Sequence, residues 1–373
     1  MNDSRIVSSE ELFSELRYGR PVLLQIDNSA GSAKGLVVAA AELCTPEHIT
    51  FMARKARGLV CLGLTAARCQ QLSLPLMVEG DEEAQPFTLS IEASTGIDTG
   101  ISAVDRARTV RVAVAQDATP SDLVQPGHIF PIAAVEGGVL NRVDSAEATT
   151  DLAACAGLMP AAVFAEVLDP RGEVAEGNTL LDFASEHGLK VGRVSDLVHF
   201  RLANECTVER IREGSIDTAH GAMQLTVYRE HTQGRVHLAL SRGEIREQDP
   251  TVVRVHVTST LRDLVGTTLS DRASWRFDDS LQKLAGAERA VLVLISRPET
   301  PDELLAGVDR LLGNGGGDQL QSADGYASVG LGAQILRDLG VGQIQLLSAP
   351  VKYNALSGFG LEVVDFVNPG MDH

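Results

Sequence analysis

Residues 120–142 read PSDLVQPGHIFPIAAVEGGVLNR and residues 147–169 read EATTDLAACAGLMPAAVFAEVLD, and these two stretches decide the fold of the first half of the chain. The apolar runs at 129–135 (IFPIAAV) and 161–167 (AAVFAEV) are short and bounded by turn residues, so they read as buried strands. A helical run leads into the second of them. Working outward, three more runs of the same kind occur at 22–26 (VLLQI), 59–64 (LVCLGL) and 87–92 (FTLSIE). Helix patterns with recognisable starts lie between the strands. Thr45 precedes a first-turn Pro46, Ser102 and Asp105 have capping-box spacing, and Asn178 opens a helix that stops at Gly188. Alternating strands and helices predict one compact α/β domain over roughly the first 200 residues.

The pattern changes after HFRLANEC. Met223–Arg229 and Arg235–Ser241 alternate polar and apolar residues as a strand pair does, and a third strand is expected at Val252–Thr258. Helical stretches then alternate with strands at Ala290–Ile295, Gln343–Leu347 and Leu361–Phe366. The expected division is therefore 1–204 and 205–373, two α/β domains of mixed α+β character. The glycine run NGGGD at 314–318 lacks a following Lys-Ser/Thr and is not a P-loop.

Composition narrows the function. The chain has 373 residues, 44% hydrophobic and 22% charged, which excludes global disorder and filamentous repeats. No run approaches the roughly 20 apolar residues of a membrane span, and the acidic, amphipathic start MNDSRIVSSEELFSELRYGR does not read as a secretory signal, so a cytoplasmic protein with no membrane partner is expected. Thirty-two basic against 50 acidic residues give a net charge of −18, which argues against charge-driven nucleic-acid binding. The cysteines are Cys44, Cys61, Cys69, Cys155 and Cys206, with no CxxC pair, so neither a disulfide framework nor a zinc ribbon is indicated.

Longer motifs carry a resemblance. GLVCLGLTAARCQQLSLPLMV (58–78), TGISAVDRARTV (99–110) and the two stretches quoted first closely resemble 3,4-dihydroxy-2-butanone-4-phosphate synthase. From TVERIREG onward, VVRVHVTSTLRDLVG (252–266), GLGAQILRDLGV (330–341) and LSGFGLEVV (356–364) are similar to GTP cyclohydrolase II. In this order the two halves resemble the bifunctional proteins that start riboflavin biosynthesis. The resemblance implies a first domain that converts ribulose 5-phosphate with the help of magnesium, and a second that opens the guanine ring with zinc-activated water. It also implies a homodimer, since both families commonly form one.

The motifs depart from the families where metal is held. The synthase family's acidic loop, DDExREnEGD, corresponds here to DNSAGSAKGL at 27–36, which keeps Asp27 and loses every glutamate and the arginine. The histidine of GGVLxRxGHTEA corresponds to Ser145, leaving Asp144 and Glu147 as the carboxylates of that segment. Too few hard oxygen donors remain for magnesium. By resemblance His128 and Glu166 occupy catalytic positions, while Arg142, Glu147, Thr99 and Asp105 occupy substrate-binding ones. The plain alternative makes His128 a packing residue after a turn, Glu166 a strand-end carboxylate and Arg142 its ion-pair partner.

In the second domain the pattern SECLTGDvfGSxRCDC corresponds to residues 257–272, so the three zinc thiolates become Ser259, Ser270 and Arg272. Neutral hydroxyls are poor zinc ligands and a guanidinium is none. The phosphate loop RQEGRGIGL is replaced by RPETPDEL at 297–304, and Lys352 matches a nucleotide-contacting lysine. No metal cofactor is expected in either half. The reading that accommodates every lost ligand is a pseudoenzyme that binds a sugar-phosphate-like molecule or a partner. The alternatives are an active synthase and a repurposed, metal-independent enzyme built on His128 and Glu166.

Overall fold

The computed structural model describes residues 5–27, 33–78, 85–231, 234–267, 275–312, 323–348 and 360–367. The chain forms two compact units, Met1–Arg201 and Leu202–His373.

The first unit is a mixed seven-stranded sheet with helices on both faces. Its strands are β1 (Val22–Asp27), β2 (Ala33–Ala40), β3 (Cys61–Thr65), β4 (Ile91–Ala93), β5 (Leu123–Ala134), β6 (Ala161–Glu166) and β7 (Val191–Arg193), in the order β4-β5-β3-β6-β2-β1-β7. The helices are α1 (Ser9–Arg17), α2 (Pro46–Phe51), α3 (Ala66–Gln71), α4 (Ala103–Val114), α5 (Ser145–Cys155), α6 (Asn178–His187) and α7 (Val194–Asn204). Both expected caps form, since the side chains of Thr45 and Ser102 accept from the backbone N–H of His48 and Asp105. Gly177, not Asn178, caps α6, and Gly188 ends it in the left-handed conformation.

One sheet face packs Val37, Leu62, Val163 and Ala165 against Ile49 of α2 and Met52 just after it, Val110 and Ala113 of α4, and Leu180 and Ala184 of α6. The other face carries α5. Gly63 sits beneath that helix, and a side-chain carbon there would meet the Thr149 hydroxyl at 2.8 Å, so β3 and α5 approach only because residue 63 has none.

The second unit is also a mixed sheet, in the order β14-β13-β11-β12-β10-β9-β8. Its strands are β8 (Val208–Thr218), β9 (Gly221–Glu230), β10 (Val236–Arg242), β11 (Thr251–Val257), β12 (Ala290–Ile295), β13 (Gln343–Leu347) and β14 (Glu362–Val367). The helices are α8 (Phe277–Ala285), α9 (Pro301–Leu311) and α10 (Ala323–Asp338). Trp275, Leu281 and Leu284 pack on Leu292 and Leu347, and the Trp275 indole N–H donates to the Val367 carbonyl at 3.0 Å. Three strands, β2, β7 and β8, are not among those expected from the sequence. β8 is an edge strand with most of its residues exposed, and β2 enters from the segment matched to the acidic loop. Among the described residues no helix is long and apolar enough to cross a membrane.

Candidate functional site

Strand register assembles the site of the first unit. Cys61 of β3 lies opposite both Phe130 of β5 and Phe164 of β6, and Leu36 of β2 lies opposite Glu166. Side chains alternate along a strand, so His128, Glu166 and Lys34, each two residues from one of these, share the face that carries α5. The chemistry of that face reaches Cys61: burial first, and then the charge of Glu166, push its thiol up to about 12.

His128 does not stand alone. Its Nδ1 lies 2.5 Å from Oε1 of Glu92, a residue of β4 that sequence reading did not select. Gly100 packs directly against the Glu92 carboxylate with φ of +76°, a conformation and a contact open only to glycine. The Gly100 N–H in turn donates to Asp105 Oδ2 at 3.0 Å, and Asp98 N–H to Oδ1 at 3.4 Å. Burial alone would raise the Asp105 carboxyl, but hydrogen bonds from Ser102 and from the backbone of 98–100 outweigh it and hold the group below its ordinary range. Asp105 thus shapes the turn that backs Glu92, and Thr99 lies exposed on that turn. The SIE end of the strand at 87–92 was the one signal that placed an acid beside the PGH turn.

Arg142 is engaged elsewhere. Its Nη2 and Nε reach Oε1 of Glu147 at 2.6 and 3.1 Å, where the Val135 N–H also donates at 2.8 Å. Glu147 is fully buried, and its Oε2 takes no hydrogen bond. The ion pair considered between Arg142 and Glu166 is therefore replaced by one with Glu147. The reason is local: Glu147 lies in the first turn of α5, five residues from Arg142.

Beside Ser145, which by resemblance stands for the family's metal-ligating histidine, lies an ammonium. Lys34, at a glutamate position of the acidic-loop pattern, puts Nζ 2.9 Å from Asp144 Oδ1. Asp144 caps α5, accepting from the Ser145 N–H at 2.7 Å and from its hydroxyl at 3.2 Å, while Gln85 Nε2 lies 3.1 Å from Oδ2. Burial pushes the Asp144 carboxyl up, and Lys34, Ser145 and Gln85 together draw it below the usual range. A cation, a hydroxyl and a carboxylate already bonded to both do not make a magnesium site.

In the second unit Ser259 stands at the first thiolate position; Ser270, Arg272 and Lys352 lie outside the described residues. Around Ser259 the structure builds a hub on Asp263, which lies in a π-helical turn, Thr260–Val265. Its carboxylate accepts from the N–H of Ser259 at 2.9 Å and of Phe277 at 3.1 Å, and lies 2.8 Å from Arg262 Nη2 and 3.0 Å from His256 Nε2. Burial raises this carboxyl, but Arg262, the Ser259 N–H and His256 outweigh that and leave it far below the ordinary range. His256 is fully buried, and burial, with the nearby Arg262 and Arg254, draws it down to about 4 against the pull of Asp263. The Ser259 hydroxyl meets Glu299 Oε1 at 3.3 Å. Within the replaced phosphate loop, Arg297 pairs with Glu303 at 2.5 Å. Among the described residues this donor set has no thiolate, and its imidazole and carboxylate are already bonded to each other and to the Arg262 guanidinium, an arrangement that does not offer zinc the thiolate site of the family. Gln334 is scaffold: its Oε1 accepts from both N and Oγ1 of Thr207, and its Nε2 donates to the carbonyls of Leu202 and Glu205.

Comparison with known proteins agrees with this division. Residues 10–200 match the 3,4-dihydroxy-2-butanone 4-phosphate synthase family, and residues 209–368 match GTP cyclohydrolase II. A 3,4-dihydroxy-2-butanone 4-phosphate synthase from Pseudomonas syringae pv. tomato is 44% identical over 360 residues, covering 96% of this chain and 97% of its own. The riboflavin biosynthesis protein RibBA of Aquifex aeolicus is 39% identical over 371 residues, covering 96% and 91%. Among solved structures, RibBX of A. baumannii, described as a two domain 3,4-dihydroxy-2-butanone 4-phosphate synthase, superposes with a TM-score of 0.80 at 40% identity over 97% of this chain and 99% of that one. The chain belongs to the 3,4-dihydroxy-2-butanone 4-phosphate synthase family, as a two-domain homologue of the riboflavin-biosynthesis proteins whose second half is of the GTP cyclohydrolase II type.

Proposed function

We propose that this protein is a pseudoenzyme of riboflavin biosynthesis, in which the first unit binds a phosphorylated sugar resembling ribulose 5-phosphate and neither unit performs its family's metal-dependent reaction. The observation that carries this reading is the pair of exchanges at one place: Lys34 at a glutamate position and Ser145 at the histidine position, joined through Asp144. By resemblance the family's enediolate chemistry uses a divalent cation to spread the developing charge, and a monovalent ammonium is a weaker electrophile that repels such a cation. The second unit contributes a folded scaffold with the Asp263 hub in place of thiolates. We further propose a cytoplasmic homodimer, which light scattering at micromolar concentration tests.

The decisive assay incubates purified protein with ribulose 5-phosphate and magnesium and measures formate. No formate above the protein-free rate is the expected result. A second reading, an active or repurposed lyase, is favoured by one specific feature: His128 is oriented by Glu92 at 2.5 Å on the sheet face that also carries Glu166, an arrangement suited to proton transfer. The names of the similar proteins fit that reading equally well. Formate production abolished by His128→Ala would replace the pseudoenzyme reading with this one.

A further inference from the structure

We infer that Lys34 is the ligand-binding cation of the first unit, an ammonium that holds an anionic oxygen of a phosphorylated small molecule where the family uses a divalent ion. The inference rests on the proposed sugar-phosphate binding and deepens it by naming the group that makes binding independent of metal.

Three observations point the same way. The first is placement: Lys34 shares a sheet face with Glu166, because Leu36, two residues along β2, lies opposite Glu166 in the register. The second is access: the side chain is 26% exposed, so a solute can reach an ammonium that is nonetheless held in position. The third is that Asp144 does not need it. That carboxylate already has the Ser145 N–H and hydroxyl and the Gln85 amide as donors. An ammonium has three N–H donors, and Asp144 engages one. The others suit an oxyanion, to which Lys binds as a point charge. A single positive charge substitutes for the metal's attraction but not for its Lewis acidity, so binding outlasts turnover.

Calorimetry of the full chain with ribulose 5-phosphate in EDTA tests this. Wild type is expected to bind with the same affinity in EDTA and in magnesium. Lys34→Met is expected to weaken binding by about tenfold or more, the effect of losing one charged hydrogen bond, and Lys34→Arg is expected to restore most of it. Asp144→Asn separates ligand binding from a structural ion pair, since Asn is an equally good helix cap: affinity is expected to stay or rise, and its loss in parallel with Lys34→Met would overturn the inference. Circular dichroism melts confirm that each variant is folded, and Lys34→Gln replaces Lys34→Met if that variant is not. Wild-type binding in EDTA that both neutral variants match within about twofold defeats the role of Lys34 and leaves the proposed function standing. Binding that needs magnesium defeats the inference and favours the synthase reading. Absence of binding to ribulose 5-phosphate and to inorganic phosphate, with and without magnesium, defeats the inference and the proposed function together.

Discussion

The two units treat the positions matched to their families' metal ligands in opposite ways. In the first, Lys34 sits against Asp144 beside Ser145, on the face it shares with Glu166 and His128, and in the proposed reading that cation serves an anionic ligand. In the second, the residue at a thiolate position is a serine, and the neighbouring carboxylate of Asp263 gathers two backbone N–H groups, an arginine and a buried histidine. That carboxylate is saturated by its own chain. A site can therefore lose its ion and remain a binding surface if the charge is replaced in kind. It becomes a structural joint if the remaining donors turn on one another.

The largest effect is expected from Asp263→Ala. It strands a buried imidazole, a guanidinium and two N–H groups, and should destabilise the second unit by about 3–5 kcal/mol. Denaturant unfolding followed by Trp275, the only tryptophan of the chain, reads that unit directly. An unchanged midpoint would dissolve the contrast between the units. Arg142→Ala comes next: it leaves the buried Glu147 carboxylate without its charged partner and should cost the first unit about 2–3 kcal/mol. A stable Arg142→Ala protein that has lost only ligand affinity would move Arg142 from framework to binding surface.

A smaller effect follows from His256. Its folded-state value of about 4 lies below the ordinary 6.5, so the unfolded chain takes up a proton first as pH falls. This contribution to stability is fully present above pH 6.5 and lost progressively down to about 4; at pH 5.5 the loss is about 1 kcal/mol. His256→Asn should flatten this part of the pH profile of the Trp275 transition. The smallest effect belongs to Ser145→Ala, which removes only a 3.2 Å hydroxyl bond to Asp144 and should shift stability by less than about 1 kcal/mol. A large loss there would give Ser145 a role that the geometry does not assign it.

Burial explains only part of what was legible in the sequence, since β2 is an interior strand and was still not expected. Ala290–Ile295 and Gln343–Leu347 are apolar strands in the interior of a sheet, and their ends coincide with the structure. β8 was not legible, because an edge strand exposes its residues and carries Arg and Glu where an interior strand carries Val. Lost ligands could be read by position, as at Ser145 and Ser259. Replacement partners could not: Lys34 and Asp144 are 110 residues apart, His128 and Glu92 are 36 apart, and neither spacing has a periodic signature. Arg142 with Glu147 lay within reach of a local reading, which instead assigned the arginine to Glu166.

The distribution of cysteine gives this chain a built-in clock. Cys44, Cys61 and Cys69 are buried in the first unit, and burial pushes their thiols up to about 12, 12 and 11. A protonated, enclosed thiol does not react with an alkylating reagent until the sheet around it opens. Cys206 is exposed, and no cysteine follows it in the sequence. Setting aside the half-buried Cys155, a pulse of iodoacetamide read by mass spectrometry therefore marks Cys206 at once and the three buried thiols only when the first unit unfolds, while Trp275 reports the second. One sample carries two independent readouts, without an engineered label.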